Sequence, residues 1–150
     1  MIGKLTEVEI EEVLLDNVLG RLGFNDGFNT FIYPINYVYD GNYIICHSQP
    51  GHKIQVMRKN KRICLQVDEI NKDINWRSVL LLGDYQELVE ERDRHNAMKL
   101  FVDRYLHVKM KDPAITYGIK SLGNLEQQEN SRPVFYRILI DEKSGRFENE

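Results

Sequence analysis

The 150-residue sequence lacks an excess of basic residues, a long hydrophobic run and any close pair of cysteines. Its formal charge of −3 at pH 7 argues against nucleic acid as the main partner, because binding a phosphate backbone requires a basic face. The uncharged stretch 28–39 alternates aromatic and polar residues and is much shorter than a membrane span. The first residues are too acidic for a secretory signal, so we expect a cytoplasmic protein without a membrane partner.

The two cysteines, Cys46 and Cys64, lie in segments that we interpret as neighbouring strands. Two cysteines in a chain without a recognisable signal favour reduced, buried thiols over a disulfide. The sequence contains no CxxC pair and no other metal-ligand spacing, so we predict no metal site.

Hydrophobic residues make up 42% and charged residues 29% of the chain, which is typical of one globular domain covering 1–150. A capping-box pattern at Thr6–Glu9 predicts a helix over Glu7–Asp16. Turn sequences at Asn25–Gly27 and Asp40–Asn42 predict two hairpins. Apolar periodicity predicts these further elements: strands Val18–Phe24, Phe28–Tyr39, Tyr43–His47, Arg62–Val67, Trp76–Val89 and Pro133–Asp141, and helices Gly51–Asn60 and Glu90–Tyr105.

Three segments show weak apolar periodicity: Asp68–Asn75 is interpreted as a polar connection, Lys111–Arg132 as a loop and Lys143–Glu150 as a polar tail. Gly83 predicts a bulge or kink in its strand. The fold class that follows is mainly β with flanking helices (α+β): a small antiparallel barrel, closed or half-open, with five or six strands in meander order.

The segment Asn29–Lys53 carries the candidate site. Pro34 cannot donate to a strand ladder, so it marks an edge, a bulge or a point facing a ligand. The turn before Lys53 starts a helix, where free backbone N–H groups attract a phosphate. A lysine at a helix start opposes the helix dipole unless an anion is bound. The segment therefore predicts a site for a phosphorylated planar cofactor.

Several motifs occur in order between about residues 6 and 105: Gly20-Arg21-Leu22, Pro34-Ile35-Asn36-Tyr37-Val38-Tyr39, His47-Ser48, Gly51-His52-Lys53 and Trp76-Arg77-Ser78-Val79 with Gly83. Each motif is weak alone, but the ordered set is fairly specific. It resembles the pyridoxamine 5′-phosphate oxidase-like superfamily of FMN-binding split barrels. Within that superfamily it is most similar to the branch that includes the 5-nitroimidazole resistance proteins.

The resemblance implies a homodimer with two FMN molecules in grooves between the subunits. It also implies the cofactor contacts: Pro34, Ile35, Asn36 and Tyr37 along the isoalloxazine, Cys46, His47 and Ser48 on the adjacent strand, His52 and Lys53 at the phosphate, and Ser78 and Val79 from a second strand region. His47 would also line the substrate face, which makes it the candidate catalytic residue.

Two departures from the oxidases limit this comparison. The oxidases carry basic residues at both positions that match His52 and Lys53, and a histidine carries less positive charge at neutral pH than arginine or lysine. They also place a Trp and an Arg near the C-terminus to recognise the vitamin, whereas no Trp follows Pro133 here. We therefore do not expect pyridoxamine phosphate oxidation.

Three hypotheses follow. The first is an FMN-dependent oxidoreductase that passes electrons from reduced FMN to a small nitro or quinone-like compound. A flavin supplies such chemistry itself, which fits a sequence without a recognisable catalytic triad. The second is a non-catalytic barrel that binds flavin or haem, with His47 or His52 as the haem ligand. The third is a structural dimer with a vestigial pocket.

Overall fold

A computed structural model describes residues 1–72, 74–109 and 132–150. Its elements, in chain order, are β1 (Ile2–Lys4), α1 (Glu7–Asp16), β2 (Leu19–Asn25), β3 (Thr30–Tyr39), β4 (Tyr43–Ser48), α2 (His52–Lys59), β5 (Arg62–Lys72), β6 (Asn75–Leu88), α3 (Glu91–Lys109) and β7 (Val134–Glu148). The loop predicted over Lys111–Arg132 lies outside the described residues except for its last member, Arg132.

Six antiparallel strands close a barrel in the order β2–β3–β4–β7–β6–β5, and β5 returns to β2. The short β1 adds to the far end of β7. This architecture confirms the predicted fold class. The meander is interrupted once, because α2 carries the chain from β4 to β5, which are not paired with each other.

Both predicted hairpin turns are present and depend on glycine. Gly27 and Gly41 have φ values of +103° and +98°, a region that residues with a Cβ rarely adopt. In each turn the aspartate just before the glycine accepts hydrogen bonds from the backbone N–H groups two and three residues after it. Asp26 accepts from Phe28 and Asn29, and Asp40 accepts from Asn42 and Tyr43.

Helix α1 begins with the predicted capping box. Its two reciprocal bonds are Glu9 N–H to Thr6 Oγ1 (3.2 Å) and Thr6 N–H to Glu9 Oε1 (3.0 Å). The buried Tyr37 hydroxyl donates to the Leu14 carbonyl oxygen at 2.8 Å and so fastens the helix to β3. Helices α1 and α2 contribute to the main core inside the barrel. Their buried side chains in this core are Ile10, Val13, Leu14, Ile54, Val56 and Met57.

Helix α3 covers a different part of the barrel. Its residues Ala97, Phe101 and Tyr105 form a second buried cluster with the outward side chains of Val38 and Ile45. None of the helices within the described ranges is long and apolar enough to cross a membrane.

Two segment predictions were wrong. Asp68–Asn75 is not a connection, since β5 continues to Lys72 and β6 begins at Asn75. Lys143–Glu150 is not a tail, since β7 continues to Glu148 between β1 and β6. Both segments are polar because much of their length lies at exposed ends of the barrel wall. Such strands are held by hydrogen bonds to neighbouring strands and need no alternation of apolar residues. The sequence therefore contains no pattern that would predict them.

The two cysteines are not on neighbouring strands, contrary to prediction, because β4 and β5 pair with different partners. Cys46 is fully buried inside the barrel, and Cys64 is partly buried on the outward side of β5. Both are free thiols.

The irregularity predicted at Gly83 is confirmed. Leu82 pairs with Glu142 and Gly83 with Ile140, so Asp141 is an extra residue on β7. A Cβ at Gly83 would overlap the backbone carbonyl oxygen of Leu139. Glycine is therefore required for the close approach of the two strands.

Candidate functional site

Strands β3 and β4 diverge where the sequence predicted the site. The two strands pair only through Tyr37–Tyr39 and Ile44–Cys46. The preceding part of β3 is paired with β2 alone, and the end of β4 is paired with β7 alone. We call the resulting opening, bordered by Pro34–Asn36, His47–Ser48 and Gly51–Lys53, the β3–β4 cleft.

Pro34 lies on the stretch of β3 that is paired with β2, opposite Arg21, but not with β4. Of the three predicted alternatives, an edge, a bulge or a point facing a ligand, the structure shows an edge, because the other side of Pro34 has no paired strand within the described residues. Pro34 and Asn36 are exposed and point outward, whereas Ile35 and Tyr37 point into the core and are buried. Cys46 is fully buried as well. These buried residues can offer only backbone groups to a ligand in the cleft.

Lys53 is the half-buried cation of the cleft. Burial lowers the pKa of its ammonium group from the ordinary value, although the nearby Cys46 acts in the opposite direction. Lys53 forms no hydrogen bond or ion pair with any described residue. It lies in the first turn of α2, whose N-cap, Gly51, offers no side-chain oxygen to the free N–H groups. A partly desolvated cation beside free N–H groups is an arrangement that an anion stabilises.

His47 is held between aromatic rings. Its imidazole packs edge-on against Phe101 at 4.7 Å between ring centroids and lies 5.9 Å from Phe135. Burial, and then the positive charge of Lys53, lowers the pKa of His47 to about 4. The side chain is therefore neutral at pH 7 and can offer one donor and one acceptor.

His52 and Ser48 lie at the rim. His52 is exposed, and its ring meets Phe31 of β3 in a T-shaped contact at 5.2 Å, so the start of α2 spans the opening from β4 to β3. The Ser48 hydroxyl donates to the Gln49 carbonyl oxygen at 3.2 Å.

Ser78 and Val79 are not brought to the cleft within one chain. Both lie on β6, which is separated from β3 by β5 and β2. Val79 is fully buried in the core. Ser78 points outward, and its Oγ accepts a hydrogen bond from Gln66 Nε2 at 2.8 Å. Their predicted flavin contacts stay predictions.

Sequence reasoning missed the aromatic group beside α2. The Phe24 ring stacks on Phe31 and on Tyr33, with 5.3 Å and 5.7 Å between ring centroids. Phe31 in turn makes the T-shaped contact with His52. Alternating aromatic residues in 28–39 were the available signal. Their position beside α2 depends on the path of the helix between β4 and β5, which the sequence pattern does not show.

The comparisons agree with this architecture. Residues 6–147 match the family model for pyridoxamine 5′-phosphate oxidase. An uncharacterized protein of Rhizobium meliloti is 31% identical over 144 residues, which cover 95% of this chain and 92% of that protein.

Solved structures share the fold. A FAD-binding protein of Mesorhizobium loti is 28% identical with a TM-score of 0.74, and the match covers 100% of this chain and 98% of that one. A candidate 5-nitroimidazole antibiotic resistance protein of Bacteroides thetaiotaomicron is 16% identical with a TM-score of 0.72, covering 98% and 87% of the two chains. A FAD-binding protein of Mycobacterium smegmatis is 18% identical with a TM-score of 0.69, covering 99% and 100%.

The resemblance inferred from the ordered motifs is thereby confirmed by the match over residues 6–147 and by the shared fold. This chain belongs to the pyridoxamine 5′-phosphate oxidase family.

Proposed function

We propose that the β3–β4 cleft binds a flavin through its 5′-phosphate, and that the protein is an FMN-type oxidoreductase acting on a small nitro or quinone-like compound. The observation that carries this proposal is Lys53, which is half-buried, has no described counter-ion and lies in the first turn of α2. A phosphate placed there would neutralise the lysine and accept hydrogen bonds from the free helix N–H groups.

The residues of the cleft fit a flavin. Lys53 and the start of α2 would hold the phosphate, and the backbone edge of Pro34–Asn36 that faces away from β2 would meet the polar edge of the ring. The exposed side chains of Pro34 and Asn36 leave that edge accessible. The FAD-binding protein of Mesorhizobium loti, similar over the whole chain, supports a flavin as the cofactor.

The flavin, when bound, supplies the electron transfer. The chain's own residues bind and orient it. His47, packed on Phe101 and neutral at pH 7, would serve as a fixed hydrogen-bonding group beside the ring rather than as a cation. The candidate 5-nitroimidazole resistance protein of the same fold motivates the choice of nitro compounds as substrates.

A second copy of the chain would complete the site. The outward side chains of Leu19, Ile32 and Leu80 are 53%, 67% and 39% exposed, and the described helices leave this face of the barrel open. Ser78 and Pro34 lie on the same outward face. A two-fold partner packed there would cover the apolar residues and place its Ser78 near the cleft of this chain.

The absorption spectrum of the purified protein tests the proposal. After reconstitution with FMN and removal of free ligand, we expect flavin bands and a yellow protein that nitro or quinone compounds reoxidise after reduction. A protein that never retains flavin would contradict the proposal. A Soret band instead would support the haem-binding alternative, in which the imidazole of His47 or His52 would hold the haem iron.

A further inference from the structure

A surface groove lies beside the cleft, between the β2–β3 turn and α2. It has a volume of about 250 Å³ and is lined by Asp26, His52, Gln55, Val56, Lys59 and Asn60. The four α2 residues in this set follow at helical spacing and form one face of the helix. The groove is smaller than the roughly 300–1,000 Å³ of sites that enclose a whole ligand. It therefore suits one part of a larger molecule.

The groove has one end at the start of α2. His52 belongs both to the groove and to the rim of the β3–β4 cleft, and it is the residue before Lys53. A phosphate bound at Lys53 would therefore lie at the mouth of the groove. A group joined to that phosphate would run along α2 toward Lys59 and Asn60.

The groove offers contacts for a planar, polar base. The T-shaped contact with Phe31 holds the His52 ring, which presents a flat face, and Val56 provides an apolar wall. Asp26 uses Oδ1 for the backbone N–H groups of Phe28 and Asn29, so Oδ2 is available as an acceptor. Lys59 adds positive charge, and Gln55 adds an amide that can both donate and accept.

We propose that this groove binds the adenosine of FAD, with the pyrophosphate at the start of α2, so that the protein binds FAD more tightly than FMN. The adenine would stack on His52, and its amino group or the ribose hydroxyls would donate to Asp26. Lys53 would offset the charge of the pyrophosphate, and Lys59, at the other end of the groove, would donate to a ring nitrogen of the adenine. This inference depends on the proposed flavin site and deepens it by naming the form of the cofactor.

The test is a comparison of dissociation constants for FAD and FMN, measured by quenching of flavin fluorescence. For the unmodified protein we expect FAD to bind at least about 10-fold more tightly than FMN, which is the size of one base-stacking contact. Gln55→Trp fills the groove away from Lys53. It should remove the preference for FAD and leave FMN affinity unchanged.

Two further variants complete the design. Lys59→Glu reverses a charge in the same groove and replaces Gln55→Trp if that variant does not fold. We expect it to weaken the binding of FAD but not that of FMN. Asn96→Trp, on the exposed side of α3, is the matched control and should change neither constant. Equal affinity for FAD and FMN in the unmodified protein, or an equal loss of both in Gln55→Trp, would overturn the inference while leaving the flavin site intact. Failure to bind either flavin would overturn both proposals.

Discussion

Lys53 differs from the other described lysines in its surroundings. Lys59, Lys61 and Lys99 are exposed to solvent, and Lys143 is paired with Glu11 at 2.6 Å. Lys53 is half-buried without such a partner, so its desolvation is not offset within the described part of the chain. Such a lysine is better suited to binding an anion than to stabilising the fold.

His47 makes a testable contribution to pH dependence. Its pKa is about 4 in the folded chain and 6.5 ordinarily, so between these values the unfolded chain binds a proton that the folded chain does not. The free energy of unfolding should therefore fall as the pH drops through this window, by up to about 3 kcal/mol.

Urea denaturation near pH 7 and near pH 4.5, at one protein concentration, measures this loss. His47→Gln should make the loss smaller, because the variant has no imidazole to protonate on unfolding. His95→Gln, at an exposed position on α3, should behave like the unmodified protein. Identical losses for His47→Gln and the unmodified protein would show that His47 is not the group responsible.

Helix α1 depends on its first turn. Thr6→Ala removes the oxygen that accepts from Glu9 N–H, and we expect the free energy of unfolding to fall by about 1 kcal/mol. Thr6→Ser keeps a hydroxyl and serves as the matched control. Chemical denaturation of the unmodified protein and both variants measures the difference. A Thr6→Ala variant as stable as Thr6→Ser would show that the capping box does not stabilise the helix.

The bulge between β6 and β7 allows no side chain at Gly83. Gly83→Ala would force its Cβ against the Leu139 carbonyl oxygen, which a backbone group can relieve only by moving the strand. We expect a loss of at least about 2 kcal/mol in the free energy of unfolding. Gly51→Ala is the control, because no described heavy atom lies within 4 Å of a Cβ at that position. Equal stability of both variants would contradict this packing.

The elements that the sequence predicted best are those set by local chemistry. The capping box at Thr6 and the glycine turns at Gly27 and Gly41 use bonds within four residues, so their patterns are visible in the sequence. The part of β5 after Val67 and the part of β7 around Lys143 depend on pairing with distant segments. Their residues are mostly polar, so no apolar pattern predicts a strand there.

The candidate site divides in the same way. The sequence predicted a helix start beside Lys53, since Gly51 and Lys53 are only two positions apart in the chain. It did not show that β3 and β4 separate beyond Tyr37, nor that Phe31 meets His52, because both facts depend on how the barrel closes.

Across the whole barrel, one face shows the features of an interface. A cross-strand row of outward residues runs from Pro34 through Arg21 and Gln66 to Leu80. Arg21 bonds both Gln66 and Asp68, so its charge is already compensated. A face with exposed apolar side chains such as Leu80 and a compensated charge at Arg21 is suited to the proposed second copy of the chain.

Leu80→Lys should weaken the proposed dimer by at least about 10-fold, because it would place a charge in the apolar part of the interface. Sedimentation velocity at several protein concentrations measures the effect. Leu106→Lys, at a similarly exposed position on α3, should leave the association unchanged. If the Leu80→Lys variant associates as strongly as the unmodified protein, this face is not the dimer interface.

The affinity of the Lys53→Gln variant for FMN tests the central claim most directly. Loss of a charged hydrogen bond to the phosphate should weaken FMN by roughly 1.5–3 kcal/mol, or about 10- to 150-fold, and leave the binding of riboflavin, which has no phosphate, unchanged. Lys99→Gln, an exposed lysine on α3, controls for the lost charge. Unchanged FMN affinity in Lys53→Gln would contradict the account.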